Sequence, residues 1–352
     1  MNHTAGMHEV PLGSYIIFLD QPQRQNVLTL FEPQIYPNRI DGQGQVEQPY
    51  DVAGWTLPMQ MGVAAPAVMA IQEAKADRRL TLVSDANEVR KHLALPLKTG
   101  DASPITNPLK SEVRIALYKP WTSNMDEGWT RFVFDTFNVP YSSLRDTGFR
   151  QEDLSSKYDV IVLPSQRARE IVEGNTTTSY PAEFAGGITS EGVKKLKDFV
   201  TKGGTLICFD ASCELAIKEL NLPMRNVLEG VRPSEFYCPG SVVALDVDTS
   251  QPLARGIMAA TDAYFINSSA FELSDAQENR AVRVIARYAK ENLLRSGWLL
   301  GEGKLKGKIA LAAVKAGNGQ VILFGFRPQH RGQTWGTFPF IWNALASRPS
   351  SP

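Results

Sequence analysis

Apolar positions along the chain change rhythm twice. Through the first hundred residues they come in short runs between turn formers. Residues 15–19 (YIIFL) read as a short buried strand bounded by Gly13 and by Gln21-Pro22. A short helix is predicted around 27–31, ended by Pro33, and residues 37–48, rich in Gly, Asn and Gln, read as a loop. Residues 49–62 (PYDVAGWTLPMQMG) set Trp55, Leu57, Met59 and Met61 among turn residues, so these side chains are expected to need a large partner surface. Residues 80–83 predict a strand, followed by a short helix through Val89 and Leu93. Residues 98–111 (KTGDASPITNPLKS) are polar and turn-forming, which predicts a linker.

Beyond the linker, strand and helix alternate. Residues 113–118 (VRIALY) predict a strand. Asn124 with Glu127 three residues on forms a helix-opening capping pair, after which Trp129, Phe132, Val133 and Thr136 fall on one helical face. Residues 158–164 (YDVIVLP) are nearly continuous in apolar character, as in the middle of a parallel sheet. Val193, Leu196 and Val200 define an amphipathic helix, with Glu191 in its first turn and Gly203 past its end. Residues 205–209 (TLICF) are the next buried strand, and 215–220 lie on the helix after it. This order predicts right-handed βαβ crossovers and an α/β three-layer sandwich on a parallel sheet.

From Ser241 onward strands dominate: 242–247, 264–267, 282–288, 309–314 and 321–326. The last two are separated by a hairpin-forming turn, 315–320 (KAGNGQ). A closing helix over 337–345 puts Phe338, Ile341, Trp342 and Leu345 on one face. The fold class is therefore α/β, with a β-rich C-terminal extension and an irregular N-terminal segment before the sheet.

Composition narrows the function. Among 352 residues, 37 Lys+Arg balance 37 Asp+Glu, which argues against a protein built to coat nucleic acid or an anionic membrane. Hydrophobic residues at 43% and charged residues at 21% describe a globular chain rather than a disordered one. No apolar stretch reaches the roughly 18 residues of a membrane span, and MNHTAGMHEV shows no signal-peptide pattern. The three cysteines, Cys208, Cys213 and Cys238, are too few and too irregular for a disulfide framework or a zinc ribbon. The four histidines, His3, His8, His92 and His330, form no His-x-x-Glu pair and no His-Glu-x-x-His helix, so self-contained zinc catalysis is not expected.

Several segments carry a likeness. Residues 13–22 (GSYIIFLDQP), 31–37 (FEPQIYP) and 49–58 (PYDVAGWTLP) resemble the segment that follows the catalytic domain in large bacterial zinc carboxypeptidases of the carboxypeptidase A-like family. Residues 203–207 (GGTLI), 325–333 (GFRPQHRGQ) and 343–345 (NAL) resemble the domain appended to those proteins. That domain is similar to class I glutamine amidotransferases in its flavodoxin-like fold. The likeness spans roughly 12–95 and 112–346. It implies an N-terminal docking segment over 1–97, the linker over 98–111, a degenerate amidotransferase-like domain over 112–346 and a tail over 347–352.

The family's zinc site would lie upstream of residue 12, so the resemblance implies a non-catalytic accessory or scaffold region. Such a region would support, or present substrate to, a metallopeptidase domain held in cis or on a partner. Zinc is expected only in that catalytic domain. A peptide or carbohydrate ligand and an extracellular or periplasmic setting are also implied. A hydrolase is the alternative: a metallocarboxypeptidase whose zinc domain lies outside this sequence, or a cryptic Cys-dependent amidase.

An active amidotransferase places a Cys on a sharp strand-to-helix turn between small neighbours, with a His-x-Glu pair late in the chain. The corresponding residues here are 209–215 (FDASCEL), where neither Cys213 nor Ser212 sits between glycines; His330-Arg-Gly lacks the carboxylate. A Cys213–His330 dyad stays geometrically open, although Cys213 packing as a small hydrophobe is the simpler reading. Arg327, His330, Arg331 and Gln333 form a polar cluster between a strand end and a helix start. They would hold a small anionic or sugar-like ligand, or else the arginines pair with carboxylates and tie down the last strand, the reading preferred here. Asp210 and Glu214 favour a helix dipole, and residues 301–307 (GEGKLKG) read as a solvated turn. Trp129 and Trp342 have core spacing, whereas Trp121 and Trp335 stay open to carbohydrate stacking.

Overall fold

The computed structural model describes residues 15–49, 54, 56–65, 107–109, 112–274 and 280–347. The chain divides into two units, one of 1–32 with 64–106 and one of 33–63 with 107–352. In the first unit helix α1 (Arg24–Phe31) begins before its expected start and stops ahead of Pro33. The strand expected at 15–19 does not form: Tyr15, Ile16 and Ile17 are 52, 38 and 47% exposed. An apolar run becomes a buried strand only when a neighbouring strand takes up its backbone groups, and none among the described residues does so. The strand at 80–83, the helix through Val89 and Leu93, and most of the 98–111 linker lie outside the described residues.

The second unit opens with a strap, residues 33–63, which the sequence had placed with the N-terminal docking segment. Within the expected loop a small hairpin forms, β1 (Arg39–Ile40) against β2 (Val46–Glu47). Asp41 organises its turn by accepting hydrogen bonds from the backbone N–H groups of Gln43 and Gln45, both at 2.8 Å. Helix α2 (Leu57–Met61) follows and ends at Gly62, whose φ of 67° is the left-handed stop that glycine supplies. Strap and body are joined by hydrogen bonds from Gln34 N and Thr56 Oγ1 to Ser296 Oγ (2.8 and 2.9 Å). Leu57, Met59 and Met61 are half-buried against the chain's own body, so their cover comes from within this unit.

The body is built on β3 (Ile115–Tyr118), α3 (Met125–Thr136), β4 (Ser142–Leu144), α4 (Asp146–Gln151), α5 (Leu154–Lys157), β5 (Val160–Leu163), α6 (Ala168–Glu173), α7 (Thr189–Thr201), β6 (Thr205–Phe209) and α8 (Cys213–Glu219). It continues with β7 (Met224–Asn226), β8 (Ser241–Val247), β9 (Ala260–Phe265), β10 (Phe271–Leu273), β11 (Val282–Tyr288), β12 (Leu294–Ser296), β13 (Ile309–Ala316), β14 (Gly319–Phe324) and α9 (Phe338–Ala346). One 12-stranded sheet holds all of β3–β14. Strands β4, β3, β5, β6 and β14 lie side by side and parallel. Beyond β14 the neighbours β13, β11 and β8 are antiparallel, with β9 and β12 both paired to β8. The sheet is therefore mixed, and the strands after Ser241 prolong it rather than forming an extension beside it. The β13–β14 turn decides this, because a tight hairpin through Gly317 (φ 61°) can join only antiparallel strands.

Alternate residues of each strand face opposite sides, so both faces are apolar and both are covered. Ile115, Leu117, Phe209 and Phe324 meet Val133 and Phe134 of α3 and Phe340 and Ile341 of α9. Ala116, Tyr118, Ile161 and Leu206 meet Phe149 of α4, Leu196 and Phe199 of α7 and Leu215 of α8. The resulting helix–sheet–helix arrangement is of the α/β class. Asn124 caps α3 as its spacing predicts, its Oδ1 accepting from Glu127 N at 3.0 Å. The buried face of α3 is rotated from the expected one, however. Thr130, Val133 and Phe134 point into the core, while Phe132 is 54% exposed and lies beside Gly332.

Candidate functional site

Backbone ends converge at the carboxyl edge of the parallel strands, where open α/β sheets place their ligands. Ser165 follows β5, Asp210 follows β6, Arg327 follows β14, and Asp126 stands in the first turn of α3. Arg327 joins them. Its Nε lies 3.1 Å from Asp126 Oδ1, and its Nη2 lies 2.9 Å from Asp210 Oδ2. The same Nη2 reaches Ser165 Oγ at 3.3 Å, and Nη1 donates to the carbonyl of Ile266 beyond β9 at 2.7 Å. Ser165 Oγ also donates to Asp210 Oδ2 at 3.1 Å. Asp210 is 1% exposed, with Asp126 at 12% and Arg327 at 18%.

Electrostatics follow from that burial. Desolvation raises the Asp126 carboxyl to about 6, with Arg327 opposing the rise and the Asp210 charge adding to it. Desolvation also raises Asp210, against the pull of Arg327 and of the hydrogen bond from the Ser165 hydroxyl. His330 lies flat on Tyr264 and edge-on to Trp129, at ring-centroid distances of 4.2 and 4.9 Å. Burial, and then Arg327 and Arg331, hold the imidazole down to about 3, so the ring is neutral across the ordinary pH range. Gln329, fully buried, brings its Nε2 to 3.4 Å from Asp126 Oδ1.

The strand-to-helix turn is centred three residues before the predicted nucleophile. Asp210 takes the left-handed conformation there, with φ of 51°, a backbone state that non-glycine residues rarely adopt. Ser212 is fully buried and its Oγ donates within the fold to the carbonyls of Leu163 and Phe209, each at 2.9 Å. Cys213 is 1% exposed, and its thiol donates to the carbonyls of Cys208 and Phe324, each at 3.3 Å. Burial pushes that thiol well up, and no hydrogen bond joins it to His330.

Of the predicted cluster, Arg327 and His330 belong to this buried site. Arg331 is exposed, and no carboxylate among the described residues pairs with it. Gln333 is half-buried and its backbone N–H closes a turn onto His330 at 2.9 Å. Asp126, Ser165 and Gln329 were missed, because nothing local to them in the sequence marks them as partners of Arg327. Glu214 pairs with Lys218 one turn along α8 at 2.9 Å, and 302–304 form a short turn braced by Lys306–Glu302. Trp342 and Trp335 are half-buried against Phe137, whereas the Trp121 ring lies 3.8 Å from the Arg145 guanidinium.

Among the described residues no group of three or more His, Cys, Asp or Glu is placed to hold a metal ion. The two carboxylates of this cluster already share Arg327; His3, His8 and His92 lie outside the described residues. No described helix is long and apolar enough to cross a membrane.

No protein-family model matches the chain, and no curated protein matches it. Solved structures resemble it distantly. A β-galactosidase from Bacillus circulans aligns over 67% of this chain and 32% of its own length, with 15% identity and a TM-score of 0.41. A ThuA-like protein from Bacteroides uniformis aligns over 71% and 93%, with 11% identity and a TM-score of 0.40. A cytoplasmic protein from Salmonella typhimurium aligns over 66% and 98%, with 13% identity and a TM-score of 0.43. The chain spans about a third of the β-galactosidase. None of the three is a zinc carboxypeptidase.

Proposed function

We propose that this chain is a non-catalytic α/β module, a degenerate member of the flavodoxin-like, glutamine amidotransferase-like class. It supports, or presents a peptide or carbohydrate substrate to, a metallopeptidase domain of the zinc carboxypeptidase kind, held in cis or on a partner chain. One observation carries the non-catalytic reading: Asp210 occupies the left-handed turn after β6, and its carboxylate is clasped by Arg327. A nucleophile at such a turn works by standing free before oxyanion-stabilising donors. Asp210 is instead 1% exposed and neutralised from the side. The turn keeps its strained backbone and serves to tie loops together.

The sequence likeness of 31–37, 49–58 and 325–333 to the non-catalytic part of those peptidases supports the accessory role. Zinc would reside in the peptidase domain, as the sequence likeness implies. The test is a sedimentation titration of the full chain with a purified zinc carboxypeptidase catalytic domain, run beside an amide-hydrolysis assay of the chain alone. A saturable complex with no hydrolysis is expected. Absence of any complex overturns the accessory role, and hydrolysis abolished by Cys213→Ser or Asp210→Asn overturns the non-catalytic one.

A further inference from the structure

The cluster at the carboxyl edge does not balance its charge. Two carboxylates, Asp126 and Asp210, face one guanidinium, and Asp210 is 1% exposed. Other ionisable groups nearby do not repair the deficit. Glu127, next to Asp126 on α3, is engaged by Arg131, and His330 is stacked on Tyr264 as a neutral ring. Arg331 is exposed to water beyond His330. The loops after β5 and β9 reach the cluster with the Ser165 hydroxyl and the Ile266 carbonyl, while Arg167 after β5 is exposed and pairs with Glu170. The buried Cys213 thiol and Tyr288 hydroxyl beside Asp210 are neutral. A buried site with one surplus negative charge lowers its free energy by taking up a proton.

Neither carboxylate is fully satisfied. Asp210 Oδ2 is met by Arg327 Nη2 and by the Ser165 hydroxyl, while its Oδ1 is buried without a hydrogen-bond partner. Asp126 has Arg327 Nε and, at 3.4 Å, only the Gln329 amide. That amide is fully buried and its Oε1 has no hydrogen-bond partner. Turned one way it donates to an ionised Asp126; turned over, its oxygen accepts from a protonated one.

We infer that Asp126–Arg327–Asp210 is a proton-operated clasp: with one proton shared between the carboxylates it holds the carboxyl-edge loops closed, and loss of that proton slackens it. The segments it gathers are the start of α3 and the turns after β5, β6 and β9. This inference stands apart from the accessory role, since it concerns only the state of the edge.

Carboxyl-carbon NMR of the full chain labelled with 13C-aspartate tests it across pH 4–9, with Asp126→Asn and Asp210→Asn assigning the signals. One carboxyl of the pair is expected to titrate at about 6. In Asp210→Asn the Asp126 midpoint falls by about one unit or more, because a like charge is gone. Thermal melting supplies a second readout: the Tm of Asp126→Asn minus that of the wild type becomes more positive from pH 5 to pH 8. Ionisation of both carboxyls in the ordinary range, or a Tm difference independent of pH, overturns the inference. Should Asp126→Asn fail to fold, the wild-type titration assigned through Asp210→Asn decides alone.

Discussion

His330 lies on Tyr264 at an interplanar angle of 17°, and its Nδ1 is buried without a hydrogen-bond partner. A ring so placed must be neutral in the folded state, while the unfolded chain protonates it at its ordinary value near 6.5. Its contribution to stability is therefore complete above about 6.5 and is lost as the pH falls towards about 3. Within that window the loss runs at roughly 1.4 kcal/mol per pH unit. Asp126 acts in the opposite sense: its raised value makes the protonated fold the favoured one, so its contribution is lost as pH rises through about 6. Urea unfolding at pH 7, 5.5 and 4.5 should show these slopes largely offsetting in the wild type. In His330→Gln the acid-side loss disappears and stability rises on mild acidification; an unchanged pH profile refutes the assignment.

Arg327 is the hinge of the site, so its removal should be severe. Arg327→Ala leaves Asp210 as a buried charge with no cation, and breaking such a pair costs about 3–5 kcal/mol. Adding Asp210→Asn to that variant should recover a large part of the loss, since the stranded charge is then gone. A double-mutant cycle by chemical denaturation measures the coupling, and additive losses contradict the geometry.

Cys213 should be inert in the native protein. Its thiol is buried, hydrogen-bonded to two carbonyls and pushed well up, and Cys208 and Cys238 are buried as well. A thiol-reactive chromophore should label Cys213 no faster than the other two, with all three becoming reactive on unfolding. Selective native labelling of Cys213 points instead to the amidase reading.

Strap and body meet at a glycine pair. A Cβ added to Gly336 falls 2.9 Å from Gly62 Cα, where only backbone movement makes room. Gly336→Ala should therefore lower stability by about 1–3 kcal/mol. It should also speed proteolytic cleavage within 37–48 while leaving the sheet intact. Limited proteolysis read by mass spectrometry checks this, and cleavage at the wild-type rate places the strap's hold elsewhere.

Much of the sheet can be read directly from local pattern. The continuous apolar runs of β5 and β6 announce strands buried on both faces, and both are fully buried. The Asn124 cap, the buried face of α7 and the β13–β14 hairpin also stand in the sequence, because each depends on residues within a turn or two of one another. Arg327 and His330 were visible as a polar cluster for the same reason. Arg331 carried the same local signal and lies outside the buried network.

Tertiary structure alone decided the rest. Arg327 and Asp126 meet across 201 residues, and nothing local selects that carboxylate over any other. Likewise the turn geometry at Asp210, rather than the identity of Cys213, determined which side chain the strand-to-helix corner displays. Hydrophobic periodicity specifies which face of an element is buried. Which elements become neighbours is settled only when the sheet order is complete, and that order brings the loop ends and their charges together.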